Sequence, residues 1–251
     1  MSITQDMLAY WRRPTLLPAR EAFTPDTCIA LFKLLGVSLG LVFLSAIIVG
    51  GVLSGAGATM PEPSEDFQDM MRSGSFVVMA IVYAPIIEEL LFRSWLRKSW
   101  GILMVMPLLL CGSAIFILSR AASEFPMVSY AGILAIITAF GFYLPRYVST
   151  RGEPVLHDRA ARRVFPYVFW AMAVLFGLIH LGNFTDEGLG LLAVIVILPQ
   201  FVMGAVLGFV RMRFGLIAAI LFHAAYNAIM VTLTTLAPAA EPTVNTISAI
   251  F

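Results

Sequence analysis

An all-α bundle of about seven membrane-spanning helices is the fold this sequence predicts, on three observations. Hydrophobic residues make up 60% of the 251 and charged residues only 12%, whereas a soluble domain is roughly half apolar and about a quarter charged. The apolar residues come in runs of about 20, the length that crosses ~30 Å of hydrocarbon as a helix. The basic residues gather in alternate loops, as the cytoplasmic preference of Lys and Arg requires. With a mean hydropathy of +0.91, water is not the chain's main solvent. A net charge of +1 gives nucleic acid nothing to bind, and no such partner is expected.

Taken in order, residues 1–28 read as a cytoplasmic segment. Tyr10, Trp11, Arg12, Arg13 and Arg20 stand there among prolines, a composition suited to the membrane interface. A transmembrane domain over 29–236 follows, with spans at Ile29–Leu53, Phe76–Leu96, Gly101–Ser119, Met127–Val148, Val164–Leu181, Leu189–Val210 and Phe214–Leu236. Residues 237–251 form a short outer tail. The first run is longer than the core of a cleavable signal peptide and is read as a retained span. The loop Ser54–Ser75 carries Phe67, Met70 and Met71 beside acidic residues, the makings of a short helix on the outer leaflet. Cys28 and Cys111 sit in no metal-binding spacing and are expected to be free thiols packed as small apolar groups.

Orientation follows from the loops. Of 16 basic residues only Arg72 and Arg120 fall on one side, which leaves 14 on the other. The poorly basic side instead holds Glu62, Glu65, Asp66, Asp69, Glu124, Asp186, Glu187 and Glu241. An odd number of crossings, N-terminus inside and C-terminus outside, satisfies this pattern.

Charge inside the spans is the informative feature. Glu88 and Glu89 lie near the middle of the second span, and each buried charge costs at least ~2.5–3.5 kcal/mol on insertion scales. Arg93 is four residues from Glu89, on the same helix face, so an internal ion pair is expected. Glu88 points about 100° away and is left free for chemistry. Pro85 removes an amide donor just before the pair, which in an α-helix frees the carbonyl of Ile81 and bends the helix toward a polar cavity. His180 lies in the fifth span and His223 in the seventh, where Asn227 shares its face at four residues' distance. A lone histidine in a membrane helix is more often a packing residue. Two of them, with the asparagine and the carboxylates, suggest a site. His157, in the basic loop, reads as an ordinary surface residue.

These residues resemble the CAAX-protease and bacteriocin-processing (CPBP, Abi) family of intramembrane endopeptidases. Its EExxxR stands here as Glu88, Glu89 and Arg93, its FxxxH as Phe176 and His180, and its HxxxN as His223 and Asn227. The approach to the last motif, Gln200 through Gly204, Gly208, Arg211, Arg213 and Gly215, is also similar, so the likeness covers about residues 76–230. One departure stands out. His180 follows Glu88 by 92 residues, where the family places FxxxH one span after EExxxR; at the usual distance Phe116 is followed by Arg120 in the place of His. Either a two-span insertion, which preserves the parity of crossings, accounts for the distance, or the motif is degenerate and His180 belongs to something else; the insertion is the reading adopted, since no other histidine has the FxxxH context.

The resemblance implies an intramembrane endopeptidase that needs no cofactor, with Glu88, Glu89, Arg93, His180, His223 and Asn227 as site residues. Chemically the set fits hydrolysis by an activated water: Glu88 as general base, with His180 helping to hold the water. His223 and Asn227 are then donors to the developing oxyanion, and the Glu89–Arg93 pair holds the helix. A zinc enzyme is the chemical alternative, with Glu88, His180 and His223 as ligands. A non-catalytic binding or bacteriocin-immunity protein of the same fold and a proton-coupled transporter are rivals of other classes. The implied partners are a peptide or membrane-protein substrate and the lipid bilayer, in a bacterial cytoplasmic membrane. No feature of the sequence fixes the oligomeric state or the cleavage site.

Overall fold

The structure, a computed structural model of the 251-residue chain, describes residues 2–17, 24–94, 96–97, 159–185 and 192–236. The spans expected at Gly101–Ser119 and Met127–Val148, together with Cys111, His157 and the 237–251 tail, lie outside the described residues. The chain divides into two compact units, Met1–Ser94 with Phe169–Phe251, and Trp95–Val168. Every site residue named above belongs to the first.

The long described elements are all helices: α1 (Ile3–Arg12), α2 (Pro25–Gly55), α3 (Glu65–Arg72), α4 (Phe76–Arg93), α5 (Arg159–Ile179), α6 (Ala193–Val196), α7 (Leu198–Phe214) and α8 (Leu216–Leu236). Among the described residues, Pro25–Gly55, Arg159–Asn183 and Leu216–Thr235 are long and apolar enough to cross a membrane. A fourth candidate is α4 taken with α3, the two being bent by 105°. The chain is therefore an integral membrane protein of helical type.

Helix α2 shows why lipid is the solvent. Its buried residues, Leu34, Ser38, Val42, Ser45, Val49 and Leu53, recur every three or four positions and form one stripe. The rest of the helix is apolar too, and Phe32 and Ile47 are 78% and 72% exposed. Only hydrocarbon makes that arrangement stable. The hydroxyls in the buried stripe are spent on the helix itself, Ser38 on Leu34 O and Ser45 on Val42 O, each at 2.7 Å. Cys28, near the start of α2, is a free thiol but exposed, not packed as the sequence reading expected.

The N-terminal segment is a helix with a capping box: Ser2 Oγ accepts from Gln5 N and Gln5 Oε1 accepts from Ser2 N. It docks on the protein. Met7 and Tyr10 are buried, the Tyr10 ring meets those of Phe169 and Phe209 at 5.4 Å, and Trp11 Nε1 donates to Ala205 O at 3.2 Å. The loop after α2 contains the short helix α3, capped by Ser64.

One span is placed differently from the expectation. The run Leu189–Val210 is not one helix: α6 ends at Val196, and α7 starts at Leu198 with Pro199 in its first turn. Proline has no N–H to give to a preceding carbonyl and its fixed φ suits a helix start, so the chain restarts there. Helix α7 ends at Gly215, whose φ of 100° and ψ of 175° suit glycine alone. Twelve of the 17 residues of α7 are buried. Close approach to α5 is possible because glycines face it: a Cβ on Gly204 would lie 3.1 Å from Ala173 O, and one on Gly208 only 2.7 Å from the Phe169 ring.

Gly208→Ala is therefore expected to destabilise the protein by about 1–3 kcal/mol through overpacking against a ring that its neighbours hold in place. Gly40→Ala, where a Cβ meets nothing within 4 Å, should be neutral. Thermal unfolding in detergent compares the two, and equal melting temperatures would show slack between α5 and α7.

Candidate active site

Helix α4 brings the carboxylates in. Phe76, Ala80, Ala84 and Glu88, spaced by four, line one cavity of about 190 Å³. The two alanines leave the room that a larger side chain would fill. His180 enters from the 3₁₀ turn His180–Asn183 that ends α5, and His223 and Asn227 from α8. Glu88 and His180, 92 positions apart in the chain, thus line a single cavity, large enough for several waters.

The adjacent glutamates have opposite surroundings. The Glu89 side chain is fully buried, and its Oε1 accepts from Arg93 Nη1 at 2.7 Å and from His223 Nδ1 at 3.2 Å. Arg93 also donates to Gly204 O at 3.4 Å, and its guanidinium lies 4.3 Å from the centre of the Phe176 ring. Phe176 stacks near His180 and His223 as well, at 4.8 and 5.9 Å between ring centres. The far end of α4 is held by Arg211, whose Nε donates to Arg93 O at 2.9 Å and whose Nη2 donates to Ser94 O at 3.2 Å. A cation at a helix C-terminus also favours the macrodipole.

Glu88 is different. Its side chain is 20% exposed, and its Oε2 lies 3.9 Å from His223 Nε2, too far for a hydrogen bond, with no other partner. The tautomers follow from the neighbours. His180 Nδ1 donates to Phe176 O at 2.6 Å, so its Nε2 carries the lone pair. His223 Nδ1 faces the Glu89 carboxylate and carries a proton, which leaves Nε2 turned toward Glu88.

Asn227 has a structural partner that the sequence did not disclose. Residues Met79–Tyr83 of α4 form a π turn, in which Ala84 N–H bonds Met79 O. The carbonyl of Ala80 thereby loses its α-helical donor, and its π-helical donor would be Pro85, which has no N–H. Asn227 Nδ2 donates to it at 2.8 Å. The carbonyl taken up by another helix is thus that of Ala80, not of Ile81 as an α-helical register implies.

The cavity roof and one wall escaped the sequence reading. Phe67 and Met70 of α3 reach it because Ser64 N donates to Asn183 O at 2.9 Å and Thr185 N to Glu62 O at 2.9 Å. Those bonds pin the α3 segment to the turn carrying His180. Gln200 and Tyr226 also line the cavity. They are 4% and 2% exposed, and neither Gln200 Nε2 nor the Tyr226 hydroxyl has a hydrogen-bond partner. In the sequence Gln200 stands only as the start of the family-like approach to the last motif, with no role assigned to it, and Tyr226 is not singled out. Among the described residues no group of three or more His, Cys, Asp or Glu side chains is gathered closely enough to hold a metal ion.

The family described as Type II CAAX prenyl endopeptidase Rce1-like matches residues 72–229, more than half of the chain. No curated protein and no solved structure matches.

The bond between Asn227 and Ala80 gives a test by double-mutant cycle. Asn227→Leu alone orphans a buried carbonyl, at about 1–3 kcal/mol. In a Pro85→Ala background residue 85 regains an N–H for Ala80 O, so the same change should cost measurably less. Additivity of the two within about 0.5 kcal/mol, by unfolding titration in detergent, would disprove the link.

Proposed function

The chain belongs to the Rce1-like family of type II CAAX prenyl endopeptidases, and from that premise we propose that it hydrolyses a peptide bond of a membrane-associated substrate by an activated water. One observation carries this reading: of two adjacent carboxylates, Glu89 is fully buried away from the cavity with its Oε1 bound to Arg93 and His223, while Glu88 lines the cavity beside His180 with its Oε2 unpartnered. Water in the cavity donates one hydrogen to Glu88 and the other to the lone pair of His180 Nε2, with its oxygen directed at the scissile carbonyl carbon. Attack forms the C–O bond, moves the carbonyl π electrons onto oxygen and delivers the water proton to Glu88. Collapse restores the carbonyl, breaks the C–N bond and returns that proton to the leaving nitrogen. His223, set between both carboxylates, and the remaining N–H of Asn227 face the same space and can favour the developing charge. No cofactor is needed.

The family's name specifies a prenylated CAAX C-terminus, and that peptide class is the substrate we propose to test. We further propose the seven-span arrangement, N-terminus inside and C-terminus outside, in a bacterial cytoplasmic membrane. The bias of 14 basic residues against 2 supports the orientation.

Cleavage of an internally quenched, farnesylated CAAX peptide by the protein in proteoliposomes is the direct experiment. Glu88→Gln keeps the shape of the side chain but removes the base, so turnover should fall by ~10²-fold or more with unchanged stability. Glu89→Gln leaves Arg93 buried without its counter-charge and should lower stability by ~3–5 kcal/mol together with activity. Full turnover by Glu88→Gln, or no Glu88-dependent cleavage by the wild type, sinks the reading. Loss of wild-type cleavage in phenanthroline, restored by Zn²⁺, would replace it with a metal mechanism. For the orientation, a cysteine introduced between Arg151 and Arg163 should resist membrane-impermeant thiol reagents in intact cells; ready labelling overturns it.

A further inference from the structure

The cavity wall has more hydrogen-bonding capacity than the reaction described above uses. Gln200 stands in the first turn of α7, the most buried of the described helices, yet its Nε2 has no hydrogen-bond partner. Leaving a buried donor unmade costs about 1–3 kcal/mol, and such a group in a native structure calls for a physical account. Three of the wall's other polar side chains are partly committed: His180 Nδ1 to Phe176 O, His223 Nδ1 to Glu89, and one hydrogen of Asn227 Nδ2 to Ala80 O. Gln200 Nε2 is committed to nothing.

What that position selects follows from its chemistry. An amide nitrogen only donates, so the group it awaits must be an acceptor; the Tyr226 hydroxyl, also unpartnered, can donate or accept and selects neither. The opposite requirement is met by Glu88 Oε2 and His180 Nε2, which only accept while the carboxylate is ionised and which therefore take the hydrogens of water. A cavity with acceptors from α4 and α5 and a donor from α7 is matched to two reactants, a nucleophilic water and a carbonyl oxygen.

Resting on the peptidase reading above, we propose that Gln200 is a further catalytic residue, whose Nε2 amide donates to the scissile carbonyl oxygen and holds the oxyanion of the tetrahedral intermediate. The bond shortens and strengthens as negative charge builds on that oxygen, so it favours the transition state over the bound substrate. No proton leaves Gln200 at any stage. Its part is separate from that of Asn227, one of whose amide hydrogens holds the π turn of α4.

Gln200→Leu and Gln200→Met test this with the farnesylated CAAX peptide in proteoliposomes. Both keep the approximate volume or length of the side chain and remove the donor. Each should lower kcat by about 10- to 1000-fold with KM within about threefold, and the Leu variant should melt no lower than the wild type, because it removes an unsatisfied amide. Affinity for a phosphinate analogue of the peptide, which carries the oxyanion, should fall by a larger factor than substrate affinity. Wild-type kcat in Gln200→Leu overturns the proposal, and so does a loss of activity that follows a lower melting temperature while Gln200→Met folds and turns over normally. If the Leu variant does not fold, Gln200→Met decides by the same two readouts. An inactive wild type would remove the peptidase reading and this inference with it, whereas an active wild type beside an active Gln200→Leu removes this inference alone.

Discussion

A carboxylate fully removed from solvent holds this site together. Glu89 is 0% exposed, and an isolated charge at that depth would be prohibitively costly. Its Oε1 therefore gathers Arg93 from its own helix and His223 from α8. Arg93 in turn needs partners, and finds Gly204 O on α7 and the face of Phe176 on α5. Four helices are thus tied to one ionised group. Removing any partner would leave charge in a medium that does not solvate it, so the arrangement is fixed more firmly than apolar packing in lipid could fix it, where hydrocarbon offers little preference for helix over tail.

Much of this constellation is legible in the sequence, for reasons that can be given residue by residue. Glu89 and Arg93 are legible because a spacing of four on an apolar helix has only one sensible geometry. His180, His223 and Asn227 are legible because polar side chains inside apolar runs are costly enough to need a reason. The long helices follow from run length, as the agreement of Ile29–Leu53 with Pro25–Gly55 shows. The rest depends on backbone detail that composition does not encode. The π turn at Met79–Tyr83 shifts the register by one residue, so Ala80 O and not Ile81 O meets Asn227. The division of Leu189–Val210 at Ile197 turns on Pro199, whose effect in an otherwise unbroken apolar run is either a bend or a restart. Gln200 was visible as a letter. That its amide lacks a partner is a property of the folded wall alone.

The glycines of α7 explain how His180 can reach the site although it follows Glu88 by 92 positions. Gly204 supplies a carbonyl to Arg93, and its missing side chain admits Ala173 and Phe176 of α5. One residue thereby sets the separation of α5 from α7 and the position of the cation that neutralises Glu89. His180 lies one turn beyond Phe176, and its ring is oriented through Phe176 O. The placement of His180 is consequently determined from α7 through Phe176, by contacts that are independent of how many residues join α4 to α5.

The different surroundings of the adjacent glutamates then follow from helix geometry. Consecutive residues project about 100° apart, so when Glu89 turns to the arginine and histidine, Glu88 must turn to the side opened by Ala80 and Ala84. Committing Glu89 through its Oε1 leaves Glu88 as the carboxylate that lines the cavity, with its Oε2 unpartnered. Arg93, already neutralised by Glu89, is not available to be captured by Glu88, and His223 approaches Glu88 only to 3.9 Å. A single glutamate in this position would be drawn to the arginine and lost as a base. The pair separates the two tasks, because an ion pair that fixes the helices and a carboxylate that stays free to take a proton place contradictory demands on one side chain.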